Sequence, residues 1–380
     1  MGSRRMNEAL RHTPAMAAPA VRKTRPILVV GGAGFIGSNL ADRLAEEGHD
    51  VLVFDALSRP GVEQNLLWLT SRHPRRVSAR IADLRDEAAV SEAVADADGV
   101  FHFAAQVAVT TSLDQPAEDF EINARGTLNL LEALRRGATP RPLIFASTNK
   151  VYGELADIAL EKRDHAYRPR DPKIARHGIS EDRALDFHTP YGCSKGAADQ
   201  YVLDYARSFG LPTAVLRMSC IYGPRQLGTE DQGWVAHFLL SALDRRPITI
   251  YGDGCQVRDI LYVHDAVTAY LAAYRRIGEI SGRAFNLGGG PDNTVSLLEV
   301  VARIEELVGR RVELSSAEWR PGDQRYYASD TRRITQALDL PRPLPWRTGI
   351  AWLADWLAER HDAAIAAGSY AAVEPAEAVR

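Results

Sequence analysis

Two residues four positions apart could carry acid–base chemistry: Tyr191 and Lys195, at the two ends of the segment YGCSK. On a helix this spacing puts both side chains on the same face. A tyrosine is a poor base at neutral pH because its ordinary pKa lies near 10, but a neighbouring cation favours the phenolate. Lowering that pKa by about 3 units corresponds to roughly 4 kcal/mol of differential stabilisation, which a desolvated site can supply. Such a tyrosine could take a proton from an alcohol.

A third polar side chain, Thr148, follows the apolar run 143–146 at the expected end of a strand. Its hydroxyl could hydrogen-bond the reacting oxygen and orient it, which requires a reach of about 3 Å. We therefore predict that Thr148, Tyr191 and Lys195 are the catalytic residues. The alternative is an amphipathic helix with a buried tyrosine and a surface lysine, which is common when such a pair stands alone.

Oxidation of an alcohol also needs an acceptor for the hydride that leaves its carbon. A glycine-rich turn predicts the site of that acceptor. Gly31, Gly34 and Gly37 follow the β-branched run 27–30 and open a helix. Residues without a Cβ let the backbone turn tightly and approach a pyrophosphate, and the helix N-terminus attracts the anion. The spacing therefore predicts a dinucleotide site.

The second expected strand, 51–54, ends in Asp55, where a carboxylate can accept hydrogen bonds from the adenosine ribose. Because a carboxylate also repels a 2′-phosphate, we predict NAD rather than NADP. Lys195 would hold the nicotinamide ribose beside Tyr191, and the positive nicotinamide would favour the phenolate together with the ammonium. The other candidate NAD contacts lie at the start of the first helix and after the third and fourth strands: Phe35, Ile36, Asp83, Leu84, Ala104, Ala105 and Gln106. A plain glycine turn with Asp55 as a helix cap is the alternative.

Short β-branched runs alternate with amphipathic stretches from residue 27 onward, which is typical of βαβ units and a parallel sheet. The predicted strands are 27–30, 51–54, 77–82, 100–103, 143–146 and 213–217. The predicted helices are 37–47, 87–95, 117–136 and 190–209. Six strands in this order suit an α/β fold with a doubly wound parallel sheet, the Rossmann architecture.

After Met218 the glycines, prolines and aromatic residues cluster, which indicates a smaller, interleaved α/β substrate-binding domain that contains a strand at 284–287. The segment 154–188 is rich in Arg, Asp and His and is interpreted as a long loop or lid. The expected division is a disordered basic tail at 1–25, an NAD-binding Rossmann domain at 26–218 to which 247–268 returns, a substrate-binding domain at 219–246 and 269–360, and a disordered tail at 361–380.

The composition of the 380 residues is that of an ordinary globular protein and excludes several functional classes. A net charge of -3 provides no field that would recruit nucleic acid or an anionic membrane. Cys193, Cys220 and Cys255 match neither a zinc site nor a disulfide framework, so we expect no metal and a reducing, cytoplasmic setting. No stretch approaches the roughly 18 to 20 apolar residues that span a bilayer. We therefore expect no nucleic-acid or membrane partner.

With these motifs in place, the chain resembles the extended short-chain dehydrogenases/reductases, in the group of NAD-dependent sugar nucleotide epimerases and dehydratases, from about residue 27 to residue 357. The stretches STNKVYG at 147–153, RMSCIYG at 217–223 and TEDQGW at 229–234 resemble one branch, the CDP-paratose/CDP-tyvelose 2-epimerases. The resemblance implies a nucleotide diphosphate sugar as substrate, and it carries Thr148, Tyr191 and Lys195 over as the catalytic trio.

The resemblance also implies how the substrate is held. Arg258 and Arg320 stand in elements that bind pyrophosphate in these epimerases, and a forked guanidinium suits phosphate oxygens. Asp323 would bind the nucleoside ribose. Thr148 would contact the reacting hydroxyl. Asn149 and Lys150, which lie just past it, could contact sugar hydroxyls, with a purely structural role as the alternative. A surface salt bridge is the alternative fate of each arginine.

The residues after Thr148 bear on the class of reaction. Dehydratases of this group carry an acid pair there, whereas this chain has Asn149 and Lys150. Without a carboxylate to protonate the leaving hydroxyl, 4,6-dehydration is disfavoured, and epimerisation needs no extra acid. The resemblance implies C2 epimerisation of a CDP-(dideoxy)hexose through a transient keto sugar, while the residues alone indicate only a secondary alcohol. A C4 epimerase of a UDP- or GDP-hexose and a non-catalytic binding module are the alternatives.

The two long helices also suggest an assembly. Leu128, Leu131, Tyr201 and Tyr205 are apolar residues on them that could pair with their symmetry mates in a homodimer. Core packing within one chain could equally account for these residues.

Overall fold

The structure is a computed structural model that describes residues 25–366. Side chains are described for residues 25–360. Its strands are β1 Ile27–Val30, β2 Val51–Asp55, β3 Val77–Ile81, β4 Gly99–His102, β5 Leu143–Thr148, β6 Leu160–Arg163, β7 Ala166–Pro169, β8 Thr213–Met218, β9 Cys220–Tyr222, β10 Ile248–Tyr251, β11 Val257–Tyr262, β12 Arg283–Leu287, β13 Thr294–Ser296, β14 Leu314–Ala317 and β15 Tyr326–Tyr327.

Helices surround these strands. The α-helices are α1 Phe35–Glu46, α2 Val62–Arg72, α3 Glu87–Ala95, α4 Val109–Asp114, α5 Pro116–Phe120, α6 Gly126–Arg136, α7 Pro172–His177, α8 Thr189–Phe209, α9 Trp234–Leu243, α10 Val263–Arg275, α11 Ile277–Ile280, α12 Leu297–Val308, α13 Arg332–Leu338 and α14 Trp346–Ala366. Short 3-10 turns form at Asn149–Tyr152 and Pro291–Asn293, and a π-helical turn forms at Glu121–Arg125. Within the described residues, none of the helices combines the length and apolar character that crossing a membrane requires.

Seven parallel strands form the main sheet, in the order β12-β8-β5-β4-β1-β2-β3. Residues of β1 alternate between two cores: Ile27 and Val29 face one cluster, whereas Leu28 and Val30 face the other. Helices α1, α2 and α10 contribute to the first cluster, and α3, α6 and α8 contribute to the second. This arrangement confirms the predicted doubly wound sheet. The strand order reverses between β1 and β4, which is where such sheets bind their ligands.

Smaller sheets form a second layer of structure after β8. Strand β11 pairs with β9, β13 and β15, and β10 pairs with β14. Helices α9, α12 and α14 cover these strands, and their apolar residues pack in one further core that includes Val235, Ile304 and Leu353. The second half of the chain thus supplies a separate wall beside the carboxyl ends of the main strands.

The pairing of two strand regions differs from the expectation. The run 284–287 was expected in the smaller domain, but β12 joins the edge of the main sheet beside β8. The segment 247–268 was expected to return to the Rossmann domain, but β10 and β11 pair outside the main sheet. Leu261 of β11 and the start of α10 nevertheless pack in the first core of that sheet. A short apolar run predicts a strand without telling which sheet it enters. The remaining domain boundaries stay predictions.

The segment 154–188 is folded, so the expectation of a long loop or lid was wrong. It contains the antiparallel pair β6 and β7 and the short helix α7. Leu155, Ile158 and Ile179 are buried beside Tyr152 and Tyr327. Because only a few apolar residues are spaced among many charged ones, no periodic pattern in the sequence discloses this small core.

The last helix, α14, extends into the predicted C-terminal tail. It continues to Ala366, six residues into the region predicted as a C-terminal tail. The many alanines there favour helix, which the sequence interpretation underweighted. Residues 1–24 and 367–380 lie outside the described residues, and the prediction for them stays a prediction.

A buried ion pair joins the central strands to the longest helix of the Rossmann half. Arg217 on β8 donates from Nε and Nη2 to the two carboxylate oxygens of Asp199 on α8, each at 2.9 Å. The hydroxyl of Ser147 on β5 donates to the same carboxylate at 2.7 Å. The two charged side chains are 5% and 0% exposed. One carboxylate therefore fixes β5, β8 and α8 relative to one another.

Replacing Arg217 by Met should destabilise the protein by about 3–5 kcal/mol, because it leaves the Asp199 carboxylate buried without a charged partner. Arg207→Met is the matched control, since Arg207 is 81% exposed in its pair with Asp204 and should cost less than about 1 kcal/mol. Urea unfolding of the two variants and the wild type measures the difference. Equal losses in both variants would contradict the importance of the buried pair.

Candidate active site

The glycine turn between β1 and α1 is closed by backbone contacts that only glycine permits. Gly31 has a φ of +79°, and a Cβ there would lie 2.4 Å from the backbone nitrogen of Ala104. A Cβ at Gly37 would lie 2.2 Å from the carbonyl oxygen of Gly31. Gly34 directly precedes the first turn of α1, so the free amides of this helix point into the turn. The turn fits the pyrophosphate of NAD.

Asp55 ends β2 beside this turn, as predicted. Its carboxylate accepts hydrogen bonds from the backbone N–H of Ala33 and of Leu57, each at 2.9 Å. Burial raises the pKa of the Asp55 carboxyl, and these backbone donors oppose the increase. Each oxygen retains a lone pair for a further donor, which is what a ribose hydroxyl needs. Asp55 therefore braces the glycine turn and can still receive the adenosine ribose.

The other predicted NAD contacts divide into two groups. Phe35, Ile36, Ala104 and Ala105 are partly buried, and the first three belong to or border the two cores of the sheet. The side chain of Leu84 is buried in the second core against Gly126, so only its backbone could meet the cofactor.

Asp83 and Gln106 have polar side chains with different surroundings. The Asp83 carboxylate is paired with Arg85 at 2.7 Å, which lowers its pKa. The Gln106 side chain donates to the carbonyl of Ala108, but its own amide oxygen is buried without a hydrogen-bond partner. A buried unpaired acceptor is costly and marks a place where a bound group can donate.

The structure brings the three predicted catalytic residues together. Thr148 is the last residue of β5, and Tyr191 lies in the first turn of α8, where its phenol hydrogen-bonds the Thr148 side chain. One turn further along α8, Lys195 donates from Nζ to the carbonyl oxygen of Ala146 at 2.7 Å. The Lys195 ammonium also lies 4.2 Å from the centroid of the Phe145 ring. All three side chains are less than 10% exposed.

Burial has the largest effect on the pKa of Tyr191 and of Lys195. Burial raises the pKa of Tyr191 to about 12, and the hydrogen bond with Thr148 opposes this increase only in part. Burial also lowers the pKa of Lys195 to about 7. The ammonium interacts with the Ala146 carbonyl and is not among the groups that shift the pKa of the phenol. Burial therefore favours the protonated phenol, and a positive charge placed beside it would favour the phenolate.

A buried network behind the catalytic helix was missed in the sequence. Asn123, in the π-helical turn, donates to the carbonyl of Gln106 at 3.0 Å and to the hydroxyl of Ser194 at 3.1 Å. Ser194 donates in turn to the buried carboxylate of Asp119. The backbone N–H of Tyr191 donates to the hydroxyl of Ser112. The partners on α8 are 71 to 79 positions from Ser112, Asp119 and Asn123, and Gln106 is 17 positions from Asn123, so no local motif indicates them.

The predicted substrate residues converge on one loop, 320–324. The Asn149 amide donates to the Gln324 side chain at 3.2 Å, and Arg258 donates from Nη2 to Asp323 Oδ1 at 2.5 Å. The guanidinium of Arg320 lies 3.8 Å from the Tyr251 ring centroid and pairs with Asp231 at 3.2 Å. The Asp323 carboxylate already accepts from Arg258. It could bind the nucleoside ribose, as predicted, only while it also binds this arginine.

Arg225, three residues after Tyr222, lies apart from this loop. Its guanidinium is stacked on the Trp68 ring at 3.6 Å from the centroid and faces Trp356 at 5.7 Å. Its backbone has a φ of +71°, which is uncommon for a residue other than glycine. Arg225 thus joins α2 to α14 on the outside of the molecule.

A glycine turn at the switch point of a doubly wound sheet, with a Thr, Tyr and Lys trio at the same edge, defines a dinucleotide-dependent short-chain oxidoreductase. Residues 27–288 match the family described as "NAD dependent epimerase/dehydratase family". The chain belongs to this family, and the predictions of an NAD cofactor and of an NAD-dependent nucleotide-sugar epimerase are confirmed at that level.

Named relatives agree with this assignment. The chain is 43% identical over 337 residues to the CDP-paratose 2-epimerase of Salmonella typhi, an alignment that covers 87% of this chain and 98% of that protein. It is similar to the crystal structure of Thermus thermophilus UDP-glucose 4-epimerase in complex with NAD, with 32% identity, a TM-score of 0.75 and coverage of 88% and 99%. The UDP-glucuronic acid 4-epimerase from Bacillus cereus, solved with UDP-glucuronic acid and NAD, is 26% identical with a TM-score of 0.76 and the same coverage.

The lowered pKa of Lys195 predicts a pH dependence of stability in protein stripped of its cofactor. Between pH 7 and the ordinary lysine value of 10.5, the unfolded chain binds a proton that the folded chain has released. Stability due to Lys195 therefore rises with pH across this window, by at most about 1.4 kcal/mol per unit, and is lost toward pH 7. Urea unfolding at pH 7 and pH 9 should show a larger increase in wild type than in Lys195→Met. Identical increases would refute the lowered pKa.

Proposed function

We propose that the protein inverts C2 of a CDP-linked hexose or dideoxyhexose through a transient keto sugar. The observation that carries the proposal is the 43% identity with a CDP-paratose 2-epimerase along nearly the whole of that protein, combined with an assembled Thr148, Tyr191 and Lys195. The nucleotide diphosphate sugar is thus the proposed substrate of this chain.

The chain's own residues would move one proton in this reaction. Thr148 holds the substrate hydroxyl against Tyr191, whose phenolate takes the hydroxyl proton as the C–H bond of the same carbon breaks. Bound oxidised NAD supplies the hydride acceptor and a positive charge that favours the phenolate. Tyr191 would return the same proton to the carbonyl oxygen as that carbon is reduced from its opposite face, which restores the hydroxyl with inverted configuration. Between the two steps the keto sugar must turn over in the pocket.

The surroundings of Thr148 support epimerisation over dehydration. The next two side chains are an amide and an ammonium, and both are held by the loop 320–324. The nearest carboxylate in that loop is Asp323; burial raises its pKa, but Arg258 and Lys150 outweigh burial and keep the pKa below the ordinary value. A carboxylate held ionised by two cations is a poor donor of a proton to a leaving hydroxyl.

A C4 epimerase is the main rival, because solved relatives with the same fold act at C4 of UDP-sugars by their names. A non-catalytic binding module is disfavoured. Such a module would not need Thr148, Tyr191 and Lys195 buried at one edge, with a supporting network behind them.

The decisive experiment offers CDP-, GDP- and UDP-hexoses to the purified protein in heavy water and follows the products by NMR. We expect inversion at C2 of the CDP-sugar without solvent deuterium at that carbon, because the hydride stays on the enzyme. Tyr191→Phe is the matched control: it should keep its fold and bound NAD but lose turnover by about 10²- to 10⁴-fold. Inversion at C4 would sink the proposal, deuterium at C2 would indicate enolisation, and near-normal activity of Tyr191→Phe would refute the mechanism.

We also propose a homodimer that works in the cytoplasm. Leu131 and Tyr205 are buried within the chain, so they pack in its own core rather than between subunits. Tyr201 is 48% exposed, and Phe120 and Phe209 on the adjoining helical segments are 50% and 51% exposed. These apolar side chains on α5 and α8 fit an isologous helical contact. Solution scattering should give the mass of two chains, and a monomer mass would contradict the dimer.

A further inference from the structure

Lys150 lies two residues beyond the catalytic Thr148, in the 3-10 turn that follows β5. Its backbone N–H donates to the Thr148 hydroxyl at 3.2 Å. Its ammonium donates to the carbonyl oxygen of Gly322 at 3.0 Å and lies 3.6 Å from Asp323 Oδ1. The Lys150 side chain is 22% exposed, so it is mostly enclosed. A cation is therefore held directly beside the catalytic edge.

Lys150 shares its carboxylate with the arginine proposed for the pyrophosphate. Asp323 Oδ1 accepts from Arg258 at 2.5 Å and lies 3.6 Å from the Lys150 ammonium. Two cations thus share one carboxylate, so these three groups together carry one excess positive charge in an enclosed place. Phosphate oxygens are suitable partners for that charge.

The loop that carries Asp323 also lies against the catalytic helix. A Cβ at Gly322 would lie 2.8 Å from Cγ2 of Thr189, in the same helical turn as Tyr191. Gln324 holds this loop to the strand end by its bonds with Asn149 and the carbonyl of Gly153. An unbroken series of contacts therefore links Thr148, Lys150, Asp323 and Arg258.

This geometry bears on which carbon of the sugar is oxidised. The diphosphate of a nucleotide sugar is attached to C1, so C2 is the neighbouring carbon, whereas C4 lies across the ring. To present C2 to Tyr191, the enzyme must hold the sugar-side phosphate close to the catalytic edge. A cation two residues from Thr148 is in the position to do so.

We propose that Lys150 determines the reacting carbon: its ammonium, released from sharing Asp323, binds the sugar-side phosphate and so brings C2 to Tyr191. The proposal rests on the proposed C2 chemistry and names a specificity-determining residue for it. Arg258 stays bound to Asp323, either alone or while it also donates to the phosphate. No charge is then left buried without a partner. A purely structural lysine would instead only anchor the loop 320–324.

The test uses NAD-loaded enzyme and a CDP-hexose with free hydroxyls at C2 and C4. Lys150→Met removes the charge while keeping most of the side-chain length, and Lys150→Arg keeps the charge. For Lys150→Met we expect kcat/KM for C2 inversion to fall on the order of tenfold to a hundredfold, mainly through KM, as for loss of a charged hydrogen bond. The share of C4 epimer and of released keto sugar should rise, and Lys150→Arg should retain C2 selection.

Lys162→Met is the matched control, because Lys162 is 52% exposed in a pair with Asp253 and should behave as wild type. Thermal unfolding and bound NAD check that each variant is folded, and Lys150→Gln replaces Lys150→Met if the latter is not. If the wild type inverts C2 and the folded Lys150 variant has an unchanged product ratio and KM, the role of Lys150 is overturned and the proposed function stands. Inversion at C4 by wild type overturns the proposed function as well.

Discussion

The arrangement of the active site depends on the buried pair of Asp199 and Arg217. Parallel strands bring their carboxyl ends to one edge, but they do not fix how a helix lies across that edge. Asp199 stands one turn beyond Lys195 on α8, and its carboxylate is bonded to Ser147, the residue before Thr148. Arg217 neutralises this carboxylate from the next strand. The pair therefore sets the position of Tyr191 and Lys195 relative to Thr148, at the desolvation cost that any buried charge carries.

The same burial explains the state of the catalytic side chains. A phenol and an ammonium enclosed at one edge both shift toward their neutral forms, so Tyr191 stays protonated and Lys195 loses much of its affinity for a proton. A positive charge placed beside the phenol, such as that of an oxidised nicotinamide, would favour the phenolate. Two charges were expected to favour it, those of Lys195 and of the nicotinamide, and Lys195 is not among the groups that shift the pKa of Tyr191.

Local patterns in the sequence predicted much of this site. The turn from Gly31 to Gly37, the acid at Asp55 and the four-residue spacing of Tyr191 and Lys195 each lie within one strand–helix or helical unit, where spacing determines geometry. The partners of Asn123, the pair of Asp199 and Arg217, and the edge strand β12 depend on contacts between distant segments. The small core of 154–188 is equally hidden, because its apolar residues follow no period. What could not be predicted is thus mainly the set of side chains that support the catalytic ones.

The stretch TEDQGW at 229–234 shows how a distinctive motif acquires a physical meaning only in the structure. Arg59, in the loop after β2, donates to the Gln232 side chain and to the carbonyl of Leu227, the latter at 2.8 Å. On its other side the stretch presents Asp231 to Arg320, 3.2 Å away. The loop that holds Arg59 begins at Leu57, whose N–H is bonded to Asp55. A series of contacts therefore runs from the expected adenosine end of the cofactor site to an arginine proposed for the substrate. The motif therefore joins the loop that follows Asp55 to Arg320, two places that its sequence alone does not connect.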